Sequence, residues 1–218
     1  MVSMEIKDTL ATSASICTIL QFLAGVLVCR KYIKNSTTGD SSSLAFVTCY
    51  MACSLWLRYG LLIGDTFIVV VNIFGIISQV CYVIIFILYS VKKSVTLKQF
   101  VAATCFLAVV YFYVAHETDK EIATKYIGLI SCSVTILFFA SPLVMLVHVL
   151  RVKNTDSLPF PVILSSLIVS CQWFVYGCLI NDKFIQTPNF MGCILSAFQL
   201  SLFYCFPSKS IIDQTHLI

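Results

Sequence analysis

An all-α membrane protein is the fold class that the sequence predicts: seven transmembrane helices, arranged as two parallel three-helix repeats joined by an inversion-linker helix (3+1+3). Three observations carry this reading: the composition, the length of the apolar runs, and a self-similarity at one fixed offset. Of the 218 residues, 59% are hydrophobic and only 11% are charged. A soluble domain carries roughly 25% charged residues and could not cover this much apolar surface. Lipid can.

The apolar runs come next. A helix needs about 20 mostly apolar residues to cross roughly 30 Å of hydrocarbon. Seven such runs occur, at residues 10–29, 42–63, 67–90, 96–115, 125–149, 160–180 and 184–206. Only Ile63-Gly64-Asp65-Thr66 separates the second from the third, which predicts a tight hairpin. The runs are continuous, as helices that satisfy their own backbone hydrogen bonds in lipid require. A membrane barrel would show short alternating segments instead.

The self-similarity sets the architecture. Trp56-Leu57-Arg58-Tyr59-Gly60 recurs as Trp173-Phe174-Val175-Tyr176-Gly177. Asp65 then falls on Asp182, Asn72 on Asn189, Gly75 on Gly192 and Phe86 on Phe203, every pair 117 residues apart. Upstream, Ser43-Leu44-Ala45-Phe46 resembles Ser157-Leu158-Pro159-Phe160 at a slightly shorter offset. Spans 1–3 therefore match spans 5–7. A three-helix unit crosses the membrane an odd number of times, so a second copy fused directly would insert upside down. Span 4 has no repeat partner and restores the orientation. The chain divides on this reading into a first repeat (1–95), a linker helix with its outer loop (96–120), a second repeat (121–207) and a short cytosolic tail (208–218). Parallel repeats enclosing a site near the midplane are a transporter architecture.

Charge orients the chain. Arg30, Lys31 and Lys34 follow span 1, Lys92, Lys93 and Lys98 follow span 3, Arg151 and Lys153 follow span 5, and Lys209 lies in the tail. The other side has Lys7, Lys120, Lys125 and Lys183 but most of the acids: Glu5, Asp8, Asp65, Glu117, Asp119, Glu121 and Asp182. The positive-inside rule puts the N-terminus outside and the C-terminus in the cytosol. The formal net charge of +4 thus reflects topology and does not point to nucleic acid. Span 1 reads as a retained anchor, because its flank is nearly neutral. The eleven cysteines fall in or beside the spans with no metal-ligand spacing, as small buried apolar residues do. No metal or cofactor is expected. The sequon Asn35-Ser36-Thr37 falls on the cytosolic side and is expected to be unused.

The Trp-x-x-Tyr-Gly…Asp-x₆-Asn-x-x-Gly pattern of both halves, with Ser141-Pro142-Leu143 and Ser157-Leu158-Pro159-Phe160, resembles the SWEET sugar transporters. The resemblance runs from about Gln21 to Pro207, and its motifs occur twice in the same order. The short tail is more similar to animal members than to plant ones. Parallel repeats are a known feature of that family, and the resemblance implies a sugar as the small-molecule partner.

Asn72 and Asn189 are the first candidate binding residues. An amide offers a donor and an acceptor to a ring of hydroxyls, and is costly in a membrane helix without a partner. An interhelical hydrogen bond would be the better explanation of a lone asparagine; the duplication and the resemblance together favour the site. Trp56 and Trp173 have flat faces suited to the C–H face of a pyranose. A place in the interfacial aromatic belt is the competing explanation. The resemblance implies that they border the sugar. It also implies that Ala52, Val169, Gln21 and Phe138 line the pocket. Gln21 could hydrogen-bond sugar, whereas bulky Phe138 would narrow the site, which favours a monosaccharide such as glucose.

The resemblance assigns an outer gate to Tyr59 and Asp182, with Tyr176 and Asp65 at the symmetric positions. Ordinary interfacial and loop roles are the alternative. Four inner-hinge prolines of the family correspond to Gly25, Ala45, Pro142 and Pro159, so only the second repeat keeps its prolines. Pro188, opposite Val71 of the first repeat, is expected to break the helix beside Asn189.

No carboxylate lies near the middle of a span, which predicts a passive, bidirectional uniporter working by alternating access at a site between the repeats. A carrier of another small polar solute, such as an amino acid, would be expected to show a Pro-Gln signature, and none occurs. A receptor would lack the repeat. No constellation for an intramembrane enzyme is present. An accessory membrane protein that binds partners without transporting remains the other reading. Besides surrounding lipid, a second copy of the chain is an expected partner. The plasma membrane is the expected location, with the Golgi or another internal membrane as the alternative.

Overall fold

The computed structural model describes residues 2–206; the expected cytosolic tail lies outside the described residues. Every regular element among them is a helix: α1 (Val2–Asn35), α2 (Leu44–Ile63), α3 (Thr66–Tyr89), α4 (Lys93–His116), α5 (Lys120–Phe138), α6 (Ala140–Val152), α7 (Phe160–Leu179) and α8 (Lys183–Cys205). Six stretches are long and apolar enough to cross a membrane, with α5 and α6 forming one of them, Lys120–Val152. The seventh rod, α8, has 23 residues and a length of about 34 Å at 1.5 Å per residue. Its hydropathy is diluted by polar residues such as Gln186, Asn189 and Gln199. Outward faces are apolar, with Leu27, Val109 and Leu137 largely exposed. These faces suit lipid, and the chain is an integral, multi-pass membrane protein.

The chain forms two compact units, Ser15–Ser131 and Met1–Ala14 with Cys132–Ile218. The cuts fall inside α1 and α5, 117 residues apart. Packing therefore divides the chain differently from the repeat: the first turns of α1 belong with the later helices, and those of α5 with the earlier ones.

In the unit Ser15–Ser131, α2 and α3 form a hairpin. Gly64 closes α2 with φ 73°, a left-handed conformation open to a residue without Cβ. The helices meet closely at Gly75, where an added Cβ would lie 2.6 Å from Cys53 Sγ and 2.9 Å from the Phe22 ring. Close approach across a small residue replaces the hydrophobic effect that lipid cannot supply. The Tyr82 hydroxyl donates to the Phe22 carbonyl at 2.9 Å, tying α3 to α1, and the absent side chain of Gly25 makes room for its ring. The linker helix α4 is more than a connector. Its buried residues Thr96, Ala103, Leu107, Val110 and Val114 make one stripe. Ala103 packs with Val47 and Val83, and the Tyr111 hydroxyl donates to the Ser54 carbonyl. Ser43 Oγ lies 2.9 Å from both Thr96 Oγ1 and Gln99 Oε1. With one proton, it donates to the amide oxygen and accepts from the threonine.

The other unit repeats these devices. Asn181 lies in the turn between α7 and α8 with φ 55°, at the position matching Gly64. Gly192 packs against Ser170 and Phe139, which match Cys53 and Phe22. Thr155 donates to the Phe206 carbonyl at 2.8 Å, where the first repeat has Thr38 N–H to the Tyr89 carbonyl at 3.3 Å. Leu146, Val149, Leu158, Ile163 and Leu202 form its core.

The prolines distinguish the halves. The fifth span, expected as one rod over 125–149, is two helices separated at Phe139. Pro142 has no N–H for the Phe138 carbonyl, and its ring crowds that turn. Phe139 N–H instead reaches the Ile136 carbonyl at 3.0 Å. In contrast, α1 runs unbroken through Gly25 for 34 residues. Pro159 is the N-cap of α7, ahead of the helix, and Ala45 lies in the first turn of α2, so neither interrupts a helical interior. The expected break at Pro188 is overturned: α8 continues through it. Pro188 falls early in the helix, removes a single backbone bond, and follows a first turn already held by its cap.

Replacing Gly75 by leucine should force α3 away from Cys53 and Phe22 and destabilise the fold by about 1–3 kcal/mol. A lowered thermal transition in detergent is the expected result; an unchanged one would show that no close crossing exists there.

Candidate functional site

Each half presents the same cluster near the hairpin that joins its last two helices. In the unit Ser15–Ser131, Asp65 is the N-cap of α3, and its carboxylate accepts from Ile68 N–H at 3.1 Å. Asn72, one turn beyond, donates from Nδ2 to the Ile68 carbonyl at 2.8 Å. The Ile68 residue is thus gripped at its N–H by the aspartate and at its C=O by the asparagine. In the other unit, Asp182 accepts from Phe184 N–H at 2.9 Å and Ile185 N–H at 3.2 Å. Asn189 Nδ2 donates to the Ile185 carbonyl at 2.8 Å. One N–H of each amide fixes its rotamer, which leaves the carbonyl oxygen and a second N–H to offer to a ligand.

The aromatic pairs match as well. Trp56 and Tyr59 meet edge to face with ring centroids 5.5 Å apart, and Trp173 and Tyr176 at 5.6 Å. Both tyrosines are 2% exposed, while both tryptophans are half-buried, so the indoles are the more accessible rings of the two pairs. Behind each pair the helices close up at Gly60 and Gly177, where a Cβ would sit 2.9 Å from Ile68 and 3.0 Å from the Gln186 backbone. The expected lining residues Ala52 and Gln21 are half-buried in one unit, as are Val169 and Phe138 in the other. Phe138 is the last residue of α5, at the Pro142 break.

Two roles escaped the sequence reading. Besides the gate position that the resemblance assigns them, Asp65 and Asp182 are each a helix cap; an aspartate directly before an apolar run is the signal for one. The Gln172 amide, beside Trp173, donates to Ser13 Oγ at 2.8 Å and binds the start of α1 to α7. Cavities of about 450 and 540 Å³ flank the Thr37–Ser43 loop at the opposite end of α3, and neither includes an expected site residue. Among the described residues, no group of three or more His, Cys, Asp or Glu could hold a metal ion.

Duplicated three-helix repeats, each carrying one anchored amide and one indole, define a membrane transporter class. The family model described as "Sugar efflux transporter for intercellular exchange" matches twice, over residues 8–94 and 125–210. The chain belongs to this family, the SWEET transporters. A sugar transporter SWEET1 of Drosophila pseudoobscura pseudoobscura is 45% identical over 209 residues, covering 95% of this chain and 92% of that protein. The bidirectional sugar transporter SWEET2 of Arabidopsis thaliana is 29% identical, covering 95% and 90%. A solved eukaryotic SWEET transporter superposes with a TM-score of 0.84 at 27% identity, covering 92% of this chain and 98% of that one.

Asp65→Ala and Asp182→Ala should each cost about 1 kcal/mol by loss of a cap, whereas asparagine at either position should restore all but a few tenths. Thermal unfolding of the purified variants in detergent measures this; equal losses for alanine and asparagine would remove the capping role.

Proposed function

We propose that the chain is a passive, bidirectional sugar uniporter that works by alternating access and favours a monosaccharide of the glucose type. The observation that carries the reading is the duplicated amide and indole, held identically in both repeats of a chain whose relatives are named sugar transporters. Asn72 and Asn189 hydrogen-bond sugar hydroxyls, and Trp56 and Trp173 pack on the ring. Ala52, Val169, Gln21 and Phe138 set the size of the pocket. Tyr59 with Asp182, and Tyr176 with Asp65, close the outer mouth through a tyrosine–carboxylate hydrogen bond. The inner hinge involves Gly25, Ala45, Pro142 and Pro159, with the larger movement at Pro142, where the helix is already divided. The N-terminus faces outward, the C-terminus the cytosol.

The charges support a passive mechanism. Every described carboxylate lies in a loop, at a cap or within the first two turns of a helix. Proton and sodium carriers keep such groups deep in the bundle.

Uptake of radiolabelled hexose into vesicles containing the purified protein tests the site. Asn72→Ala and Asn189→Ala should each lower uptake about tenfold, the effect of losing one or two hydrogen bonds. Wild-type-like uptake in both variants would sink the assignment, and absence of uptake of any sugar by the wild type would favour an accessory role. Hexose uptake should also persist when a protonophore collapses the proton gradient; abolished uptake would count against a uniporter.

A further inference from the structure

Gln79 stands out among the buried groups of the unit Ser15–Ser131. Only 5% of it is exposed, and its Oε1 is buried without a hydrogen-bond partner. It is residue 14 of the 24 in α3, so it lies at the middle of a membrane helix, where an unsatisfied polar group is most expensive. It shares a face with Asn72, seven residues or two turns away, about 10 Å along the axis. Gly75 lies between them, with α3 pressed on Cys53 and Phe22. The matching residue of the second repeat is Ser196, 6% exposed and again a buried hydrogen-bonding side chain. By contrast, Gln199 places its amide nitrogen 3.5 Å from the Pro142 carbonyl. An orphan acceptor lowers stability, so an amide kept at this depth points to a partner met during function.

We propose that Gln79 is a specificity-determining residue for sugar passage: its unpaired amide oxygen accepts a hydrogen bond from a sugar hydroxyl one station beyond Asn72, on the side away from the Asp65 cap. This rests on the reading of the chain as a sugar transporter. Asn72 engages the solute nearer the hairpin, and Gln79 replaces water at the midplane as it moves on.

Gln79→Met keeps the length of the side chain and removes the acceptor; Gln79→Glu keeps an acceptor of the same shape. In hexose transport by the purified protein in vesicles, Gln79→Met should raise KM roughly three- to tenfold, the range for one hydrogen bond. Its thermal transition should stay level or rise, because the orphan group is gone. A panel of monodeoxy hexoses should show one hydroxyl whose removal penalises the wild type but not Gln79→Met. Gln79→Glu should retain that discrimination. A KM equal to wild type, or a lowered thermal transition with unchanged deoxy-sugar preferences, would overturn the proposal and make Gln79 a packing residue. Failure of the wild type to transport any hexose would instead remove the transporter reading itself, so the two failures are separable.

Discussion

In a lipid interior, backbone and side-chain polar groups have no water to turn to, and the close approach of α3 to its neighbours is where this chain meets that demand. At Gly75 the helix surface is flat enough for α2 and α1 to touch it, through Cys53 and Phe22. Gly192 does the same against Ser170 and Phe139. Since apolar side chains gain nothing by leaving lipid for each other, such contacts and a few hydrogen bonds hold the bundle. The bond from Tyr82 to the Phe22 carbonyl exists only because α1 lies so near α3 at Gly25. The candidate site hangs from the same helices: the amides of Asn72 and Asn189 sit one turn from the close-packed glycines and are locked to their own backbones.

The duplication extends well beyond residue identity. Ser36 and Lys153 both adopt positive φ, as do Gly64 and Asn181. Thr38 and Thr155 each fasten a loop to the end of the following hairpin, one by its backbone and one by its hydroxyl. Ser36 and Lys153, like Gly64 and Asn181, differ in residue type yet share the backbone conformation, so geometry has been kept where chemistry has drifted; the two threonines keep the residue and change the group that bonds. The departures are local: Pro142 divides the fifth span while α1 passes its matching glycine intact, and α4 belongs to the packing of α2 and α3 without any counterpart.

Much of this was legible in the sequence. The seven apolar runs correspond to the observed rods to within a few residues at most boundaries, because lipid imposes a length on any helix that crosses it. The long α1 is the exception: it begins eight residues before the expected span, since a helix can continue past the hydrocarbon edge. The offset of 117 named the residues that recur in both clusters. Pro188 differs from expectation because a proline's effect depends on its distance from the helix start, which Asp182 sets. The capping role of both aspartates is legible in an acid placed directly before an apolar run, a signal independent of any gate.

What the sequence alone determined is the repeat itself, the number of crossings and the identity of the paired Trp, Tyr, Asp and Asn, since composition and a fixed offset are one-dimensional properties. What only the tertiary structure decided is how those side chains are held and which polar groups are left without partners. The grip on Ile68 and Ile185, the division of α1 and α5 between two packing units, and the orphan oxygen of Gln79 all depend on distances between atoms. The repeat in the sequence identifies equivalent residues; packing decides which of their hydrogen-bonding groups are already used.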